Sequence, residues 1–359
     1  MPNSGLSFSR VLTALSAFLL AGCQSAGYYA QAVQGQSALL LKRQSIPRLL
    51  ANPATDTDLR QRLEAVQRIR AFAVEQLGLP AEKQYARYVD LGREYPLWSV
   101  MATPELSLTP KVWRYWFVGS LSYRGFFKEA MAEQYAAELH AEGFDVYLSG
   151  IPAYSTLGWF HDPVLSSFIR QPEAELAELL FHELTHQVLF VPGDTTFNES
   201  LAVTVAEEGL RRYSDRYPQD LARVALAKQR RDDFVKLVLD YRGRLQKAFA
   251  AAVDTDAKRR AKAEVYAALQ QAYAEQKVAW GGYGGYDAWF ASLNNAKLNT
   301  IDTYYDLVPA LQALLQQKQG DLPAFLTACK ELARLDKSRR HAQLNALLVS
   351  SAKVPEQAR

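Results

Sequence analysis

Apolar side chains recur at helical spacing over most of the chain. From Thr57 to Leu77 they fall at Leu59, Leu63, Val66, Ile69, Phe72 and Ala73, and "GLP" stops the run. The same pattern predicts helices over about 127–142, 173–191, 197–213, 217–250 and 257–278, with "VDTD" separating the last two. After a glycine-rich aromatic break, "WGGYGGYDAWF", residues 303–347 are again helical in pattern. Two regions differ. Residues 85–125 are rich in aromatics and broken by proline and glycine, which predicts short strands and loops. In "GFDVYLSGIPAYSTLGWF" β-branched and aromatic residues predict one or two strands with turns. The expected fold is therefore α+β and mainly helical, with a small sheet before a central helix pair.

The start of the chain is patterned differently. "VLTALSAFLLAGC" after Arg10 is an apolar run too short for a membrane span of ~20 residues but suited to the core of a secretory signal. "LAGC" (Leu20 to Cys23) resembles the bacterial lipoprotein box, which implies cleavage before Cys23 and lipid on that cysteine. The glutamine at position 24, rather than aspartate, implies the outer membrane, facing the periplasm. The expected organisation is a signal peptide over 1–22, a lipid-anchored tether and the start of the helical region over 23–56, and a catalytic domain with a helical C-terminal part over 57–359.

Composition narrows the classes. A chain of 359 residues can bury a sizeable core, and a net charge of +3 is too small for binding nucleic acid mainly by charge. The basic clusters "KQRRDD" and "KRRAK" carry acids beside them and read as solvated helix faces. Of two cysteines, Cys329 lies in an apolar helical pattern as a small buried side chain, so neither a disulfide framework nor a cysteine metal site is available. The expected membrane contact is the lipid alone.

The chemistry centres on "FHELTHQ", residues 181–187. Leu176, Leu180, Leu184 and Val188 form one stripe of this helix, and His182 and His186 share another face one turn apart. Two neutral imidazoles so placed suit Zn²⁺, with ligands at ~2.0–2.1 Å, and Glu183 is positioned to take a proton from a water on the metal. The bland alternative is a helix that happens to hold two histidines. A third ligand is on offer in "TTFNESLA": the short "VPGDTT" turn should send the next helix back antiparallel, bringing Glu199 to the depth of His186. Ala202 and Ala206 would let the backbones approach. Thr196 and Glu199 also match a capping box, in which the glutamate would serve its own helix instead. Glu207 and Glu208 are candidate partners for a histidine ring.

HExxH with a downstream glutamate resembles the gluzincin metallopeptidases, and "FNESLA" is similar to their glutamate-bearing NE-x-x-A stretch. More narrowly, "YRGFF" at 123–127, "DVYLSGIPAYSTLGWFHDPV" at 145–164, "FHELTHQ", "FNESLA" and "NNAKL" at 294–298 resemble a bacterial family of predicted lipoprotein aminopeptidases. The resemblance implies one zinc per chain held by His182, His186 and Glu199, with Glu183 as general base and peptide as substrate. It also implies a substrate-pairing edge strand, for which "IPAYSTLGWF" is the candidate.

Tyr283, Tyr286 and Tyr304 stand unranked as donors to a developing oxyanion. His161 is a candidate for the cleft, whereas His140 and His341 read as structural. The acidic motif by which zinc aminopeptidases hold the substrate amine is absent from "GIPAYSTLGW", which leaves Glu207, Glu208 and Asp162 for that role. The competing class is a lipid-anchored binding or envelope-assembly protein that keeps the fold without catalysis. An intact Glu183 favours the enzyme, since a structural zinc site has no use for a base.

Overall fold

The computed structural model describes residues 27–115, 119–156, 159–218 and 221–351. The expected signal peptide and Cys23 lie outside the described residues. Helix α1 (residues 27–41) leads into β1 (Gln44–Ser45) and α2 (Ile46–Ala51). This segment, expected as part of a tether, is packed into the body: Leu39 and Ile46 are in the main core, and the Gln31 amide oxygen accepts from the Phe127 N–H at 2.8 Å.

Helix α3 (Thr57–Leu77) forms where its apolar period predicts. Asp56 caps it by accepting from the Leu59 N–H, and Gly78, with φ 66°, ends it in the left-handed region that glycine adopts without strain. The aromatic stretch then makes β2 (Arg87–Val89), β3 (Leu97–Pro104), β4 (Trp113–Tyr115), β5 (Gly119–Leu121) and β6 (Arg124–Phe126). After α4 (Glu129–Ala141) come β7 (Phe144–Ile151) and β8 (Val164–Leu165). Among the described residues these strands form three small sheets, ordered β1-β2-β8, β6-β3-β7 and β4-β5.

The β6-β3-β7 sheet positions the site. It is antiparallel, with Leu97 opposite Ile151 and Ser99 opposite both Gly125 and Ser149. Its alternation splits the sequence cleanly. Trp98, Val100, Ala102, Phe126 and Val146 pack on Ala132, Ala136 and Leu139 of α4. Leu97, Ser99, Met101 and Gly125 face the opposite way, into a cleft.

Helices α5 (Glu173–Val188) and α6 (Thr195–Arg216) form the wall across that cleft. Leu176, Leu180 and Leu184 are buried as the stripe predicts, with Val188 packed beside them. Their contacts run in opposite directions along the two helices. His182 and His186 meet Glu199, Gly209 abuts Phe181, and the Tyr213 hydroxyl donates to Glu173 at 2.6 Å. A Cβ at Gly209 would lie 2.7 Å from the Phe181 ring, so glycine permits that approach.

Helices α7 (Leu221–Ala251) and α8 (Thr255–Ala279) form a hairpin with its own core around Phe234, Leu245 and Leu269. The short α9 (Asp287–Phe290) leads to α10 (Asn295–Tyr305), followed by α11 (Val308–Gln317), α12 (Leu322–Ala333) and α13 (Lys337–Ser351). The region 303–347, expected to be helical, is divided among the four helices α10 to α13. Pro309 and Pro323 stand in the first turns of α11 and α12, where the missing N–H costs least. Cys329 is fully buried in the main core. The basic clusters are not merely solvated: Arg231 pairs with Glu178, Arg259 with Glu105 and Lys262 with Asp145. Among the described residues no helix is long and apolar enough to cross a membrane.

The α5–α6 turn is anchored by the C-terminal helix. Asp194, 1% exposed, accepts from the Phe197 N–H, from Arg340 Nε at 2.9 Å and from His341 Nε2 at 2.9 Å. Burial works against its ionisation, but His341, Lys337 and Arg340 outweigh it and hold the carboxyl below its ordinary value. Asp194→Ala should therefore remove a helix cap and leave Arg340 as a buried charge without its counter-ion, bonded only to the carbonyls of Leu332, Ala333 and Leu335. The expected loss is ~3–5 kcal/mol, read as a lowered urea midpoint. Because the folded carboxyl has the lower pKa, this contribution is complete above the unfolded value of about 3.9 and disappears as pH falls through the folded one. The stability gap between wild type and variant should close below about pH 4. A gap that persists there would show that Asp194 acts by packing instead.

Candidate metal centre and cleft

His182 and His186 project from α5 one turn apart, their rings 4.9 Å between centroids and nearly perpendicular. Glu199 meets them from the first turns of α6. His182 Nε2 lies 3.2 Å from His186 Nε2 and 3.2 Å from Glu199 Oε2, and His186 Nε2 lies 3.6 Å from the same oxygen. A tetrahedral ion with ligands at ~2.0–2.1 Å requires ligand separations of about 3.3–3.4 Å. Two ring nitrogens and a carboxylate oxygen turned on one point, at those separations, fit a divalent cation, and these three residues could hold one.

The capping-box alternative for Glu199 is not what forms. Asp194 caps α6, and Glu199 is turned to the histidines. Asn198, the preceding residue, closes the turn: its side-chain oxygen accepts from the Val191 N–H at 2.8 Å and its amide donates to the Val191 carbonyl at 2.9 Å. The sequence "NE" thus divides two tasks between adjacent residues, one holding the turn and one facing the imidazoles.

Electrostatics separates the two glutamates. Burial raises Glu199, but the imidazoles beside it outweigh burial and bring it down to about 2. Burial also raises Glu183, and there the histidines do not compensate, while the charge of Glu199 adds to the rise. His186 is disfavoured as a cation by burial, yet Glu199 raises it overall. One carboxylate is held ionised; its neighbour is poised to take a proton.

The cleft in front of these groups has a volume of about 200 Å³. Its far wall is the β3 and β6 face, with Ile151 and residues 153–155 continuing it, so part of the stretch predicted as an edge strand lines the cleft. Strand β7 ends at Ile151, and residues 152–156 that follow lie outside any strand. The Ser99 hydroxyl, in that wall, is buried without a hydrogen-bond partner among the described residues.

Of the three candidate tyrosines the structure brings one to the site. Tyr304 lines the cleft with its ring stacked on His182, centroids 6.1 Å apart. The Ser200 hydroxyl fixes it by donating to the Tyr304 carbonyl at 3.2 Å. Tyr283 and Tyr286 instead belong to an aromatic cluster with Phe234 and Trp280. The charge of Glu199, then burial, raises Tyr304 well above the ordinary phenol value, so it remains a donor.

Sequence reasoning missed Tyr123 and Tyr154, which also line the cleft. Burial and then Glu199 and Glu183 raise Tyr123. The available signal was their position in "YRGFF" and "IPAYS". It also missed Tyr85, buried behind Glu183 with φ 54°, a left-handed conformation that a bulky residue holds only under constraint from its surroundings.

Other candidates lie elsewhere. Glu207 contacts Arg231 and Gln312, and Glu208 contacts Arg211 and Arg212, so neither supports a histidine ring. Asp162 is buried and accepts from the Thr156 N–H and hydroxyl, which occupies it as a loop brace. His161 and His140 are exposed, and His341 is taken up by Asp194. Glu183 and Glu199 are the acids among the described residues lining the cleft.

No curated protein and no solved structure matches the chain. A family model described as "Putative aminopeptidase" matches residues 27–344, a span that includes every cleft residue named above. The chain belongs to that aminopeptidase family.

Proposed function

We propose that this protein is a zinc-dependent peptide hydrolase of gluzincin type, acting as an aminopeptidase. The observation that carries the reading is the convergence of His182, His186 and Glu199 donor atoms within 4.8 Å beside buried Glu183. When bound there, a divalent ion supplies Lewis acidity toward the scissile carbonyl and lowers the pKa of water.

The residues of the chain supply the rest. The Glu183 carboxylate accepts a proton from the attacking water and returns it to the leaving amine. Its raised pKa suits both halves of that exchange. The phenols of Tyr304 and Tyr123, kept protonated by Glu199 and by burial, are donors for the developing oxyanion. The segment at residues 151–155, at the end of β7, offers backbone groups along which a peptide lies. The same reading locates the enzyme in the bacterial cell envelope, held to the outer membrane through lipid on Cys23.

Elemental mass spectrometry should find one zinc per chain, and Glu199→Ala should lose it while circular dichroism stays unchanged. Folded wild type that cannot retain a supplied divalent ion would end the metal reading. Glu183→Gln should keep the metal and lower kcat/KM by ~10²–10⁴. Undiminished cleavage in that variant would remove the mechanism, and absent cleavage in wild type would leave a binding protein. Tyr304→Phe should lower kcat by ~10²–10³ with little change in KM, whereas Tyr283→Phe and Tyr286→Phe should not. Equal effects at all three positions would point to packing. Cys23→Ser should shift the protein from the membrane to the soluble fraction, and a variant still sedimenting with membranes would refute the anchor.

A further inference from the structure

Beside the metal cleft lies a second, larger recess of about 480 Å³. The two share the walls formed by Leu97, Tyr123, Gly125, Tyr154 and Ser155, so they are adjoining chambers of one site. The recess is walled by Tyr28 of α1, Leu121 of β5, Phe127, and the loop residues Trp159 and Phe160. None of the described side chains lining it carries a charge. At its mouth Trp159 is 66% and Phe160 42% exposed, a concentration of large apolar surface in water that marks a contact site more often than chance.

We infer that this recess receives the side chain beside the scissile bond, and that the enzyme selects peptides with a large uncharged apolar residue there. The inference rests on the peptidase reading and gives it a substrate class. Three observations carry it. The recess shares five lining residues with the cleft holding the donor triad. Its lining offers apolar and aromatic contact and no counter-ion, so a charged side chain entering it would lose water without gaining a partner. Gly125, which lines both chambers, puts no side chain between them. Gly125 stands opposite Ser99 on the cleft face of the sheet, and a Cβ built there meets nothing within 4 Å. A glycine inside a strand weakens it, and close approach of a ligand is one reason to keep one.

Gly125→Leu therefore places a side chain between the chambers, from a backbone position with room for a Cβ. The test uses the full chain carrying Glu183→Gln, loaded with zinc, and calorimetric titration with X-Ala-Ala peptides where X is Phe, Leu, Ala, Lys or Asp. Phe and Leu peptides should bind at least about tenfold tighter than the other three, the discrimination that apolar pockets achieve. Adding Gly125→Leu should collapse that margin, with metal content and circular dichroism confirming an intact fold. Trp159→Ala, at the exposed mouth, should reduce the margin without touching the core. Equal affinities across X, or a margin that survives both variants, would overturn the inference. A hydrolysis assay of the wild type with the same peptides separates the two readings. Selective binding without cleavage removes the catalytic reading and leaves the recess, whereas cleavage indifferent to X removes the recess and leaves catalysis.

Discussion

The site depends on the register of α5 against α6. Two histidines on one helix converge by themselves, but the glutamate on the next helix reaches them only if the connecting turn holds its length and angle. Asn198 and Asp194 supply that constraint. Asn198 closes a ring on Val191, and Asp194 caps α6 while bonding to Arg340 and His341 of the C-terminal helix. The buried side chains of Asp194 and Asn198 are thus bonded on both sides of the turn, which makes the geometry stiff. The small residues at Ala202, Ala206 and Gly209 then let the two helices close on each other.

A second constraint holds the opposite wall. Asn294 and Asn295 begin α10 in a buried polar knot: Asn295 donates to the carbonyls of Pro104, Glu105 and Ser107, and Asn294 donates to that of Val146. Asn299 adds a bond to Thr103. These contacts fasten α10 to the ends of β3 and β7. Ser200 of α6 fastens its other end, at Tyr304. The "NNAKL" stretch is thus structural in its chemistry. Its consequence for the site is the position of one tyrosine, ten residues after Asn294.

The helices were legible in the chain because their apolar period is strong and their ends carry chemical signals. Asp56, Asp254 and Gly78 terminate α3 and α8 where capping rules expect. The donor triad was legible for a related reason: a four-residue spacing on one helix and a short return turn leave little conformational freedom. What could not be read is what long-range packing decides. Thr196 and Glu199 fit a capping box as well as a ligand role, and only the presence of Asp194 at the cap decides between them. Tyr123, Tyr154 and Tyr304 come from three separate elements, so no local period marks them as neighbours. The stretch over 23–56 reads in sequence as a tether and the start of the helical region. Its described part is packed into the body because its buried residues, Gln31, Leu39 and Ile46, meet partners distant in sequence.

The cleft also shows how one small region keeps two identical side chains chemically distinct. Glu183 and Glu199 both lie out of water, and burial raises both. The difference comes from direction. Glu199 points between the two imidazoles and is held down to about 2, which fits a group that must stay ionised at every step. Glu183, on the same helix as the histidines, cannot turn between them. Its own desolvation, with the charges of Glu199 and Asp162 adding to it, outweighs the lowering by the two histidines. A pair of acids whose surroundings push them apart in this way is a division between a permanent charge and a movable proton. Helix geometry sets Glu183's part in that division. Residue 183 is one position from His182 and therefore rotated about 100° from it, near enough to face the cleft and too far round to take the place of His182.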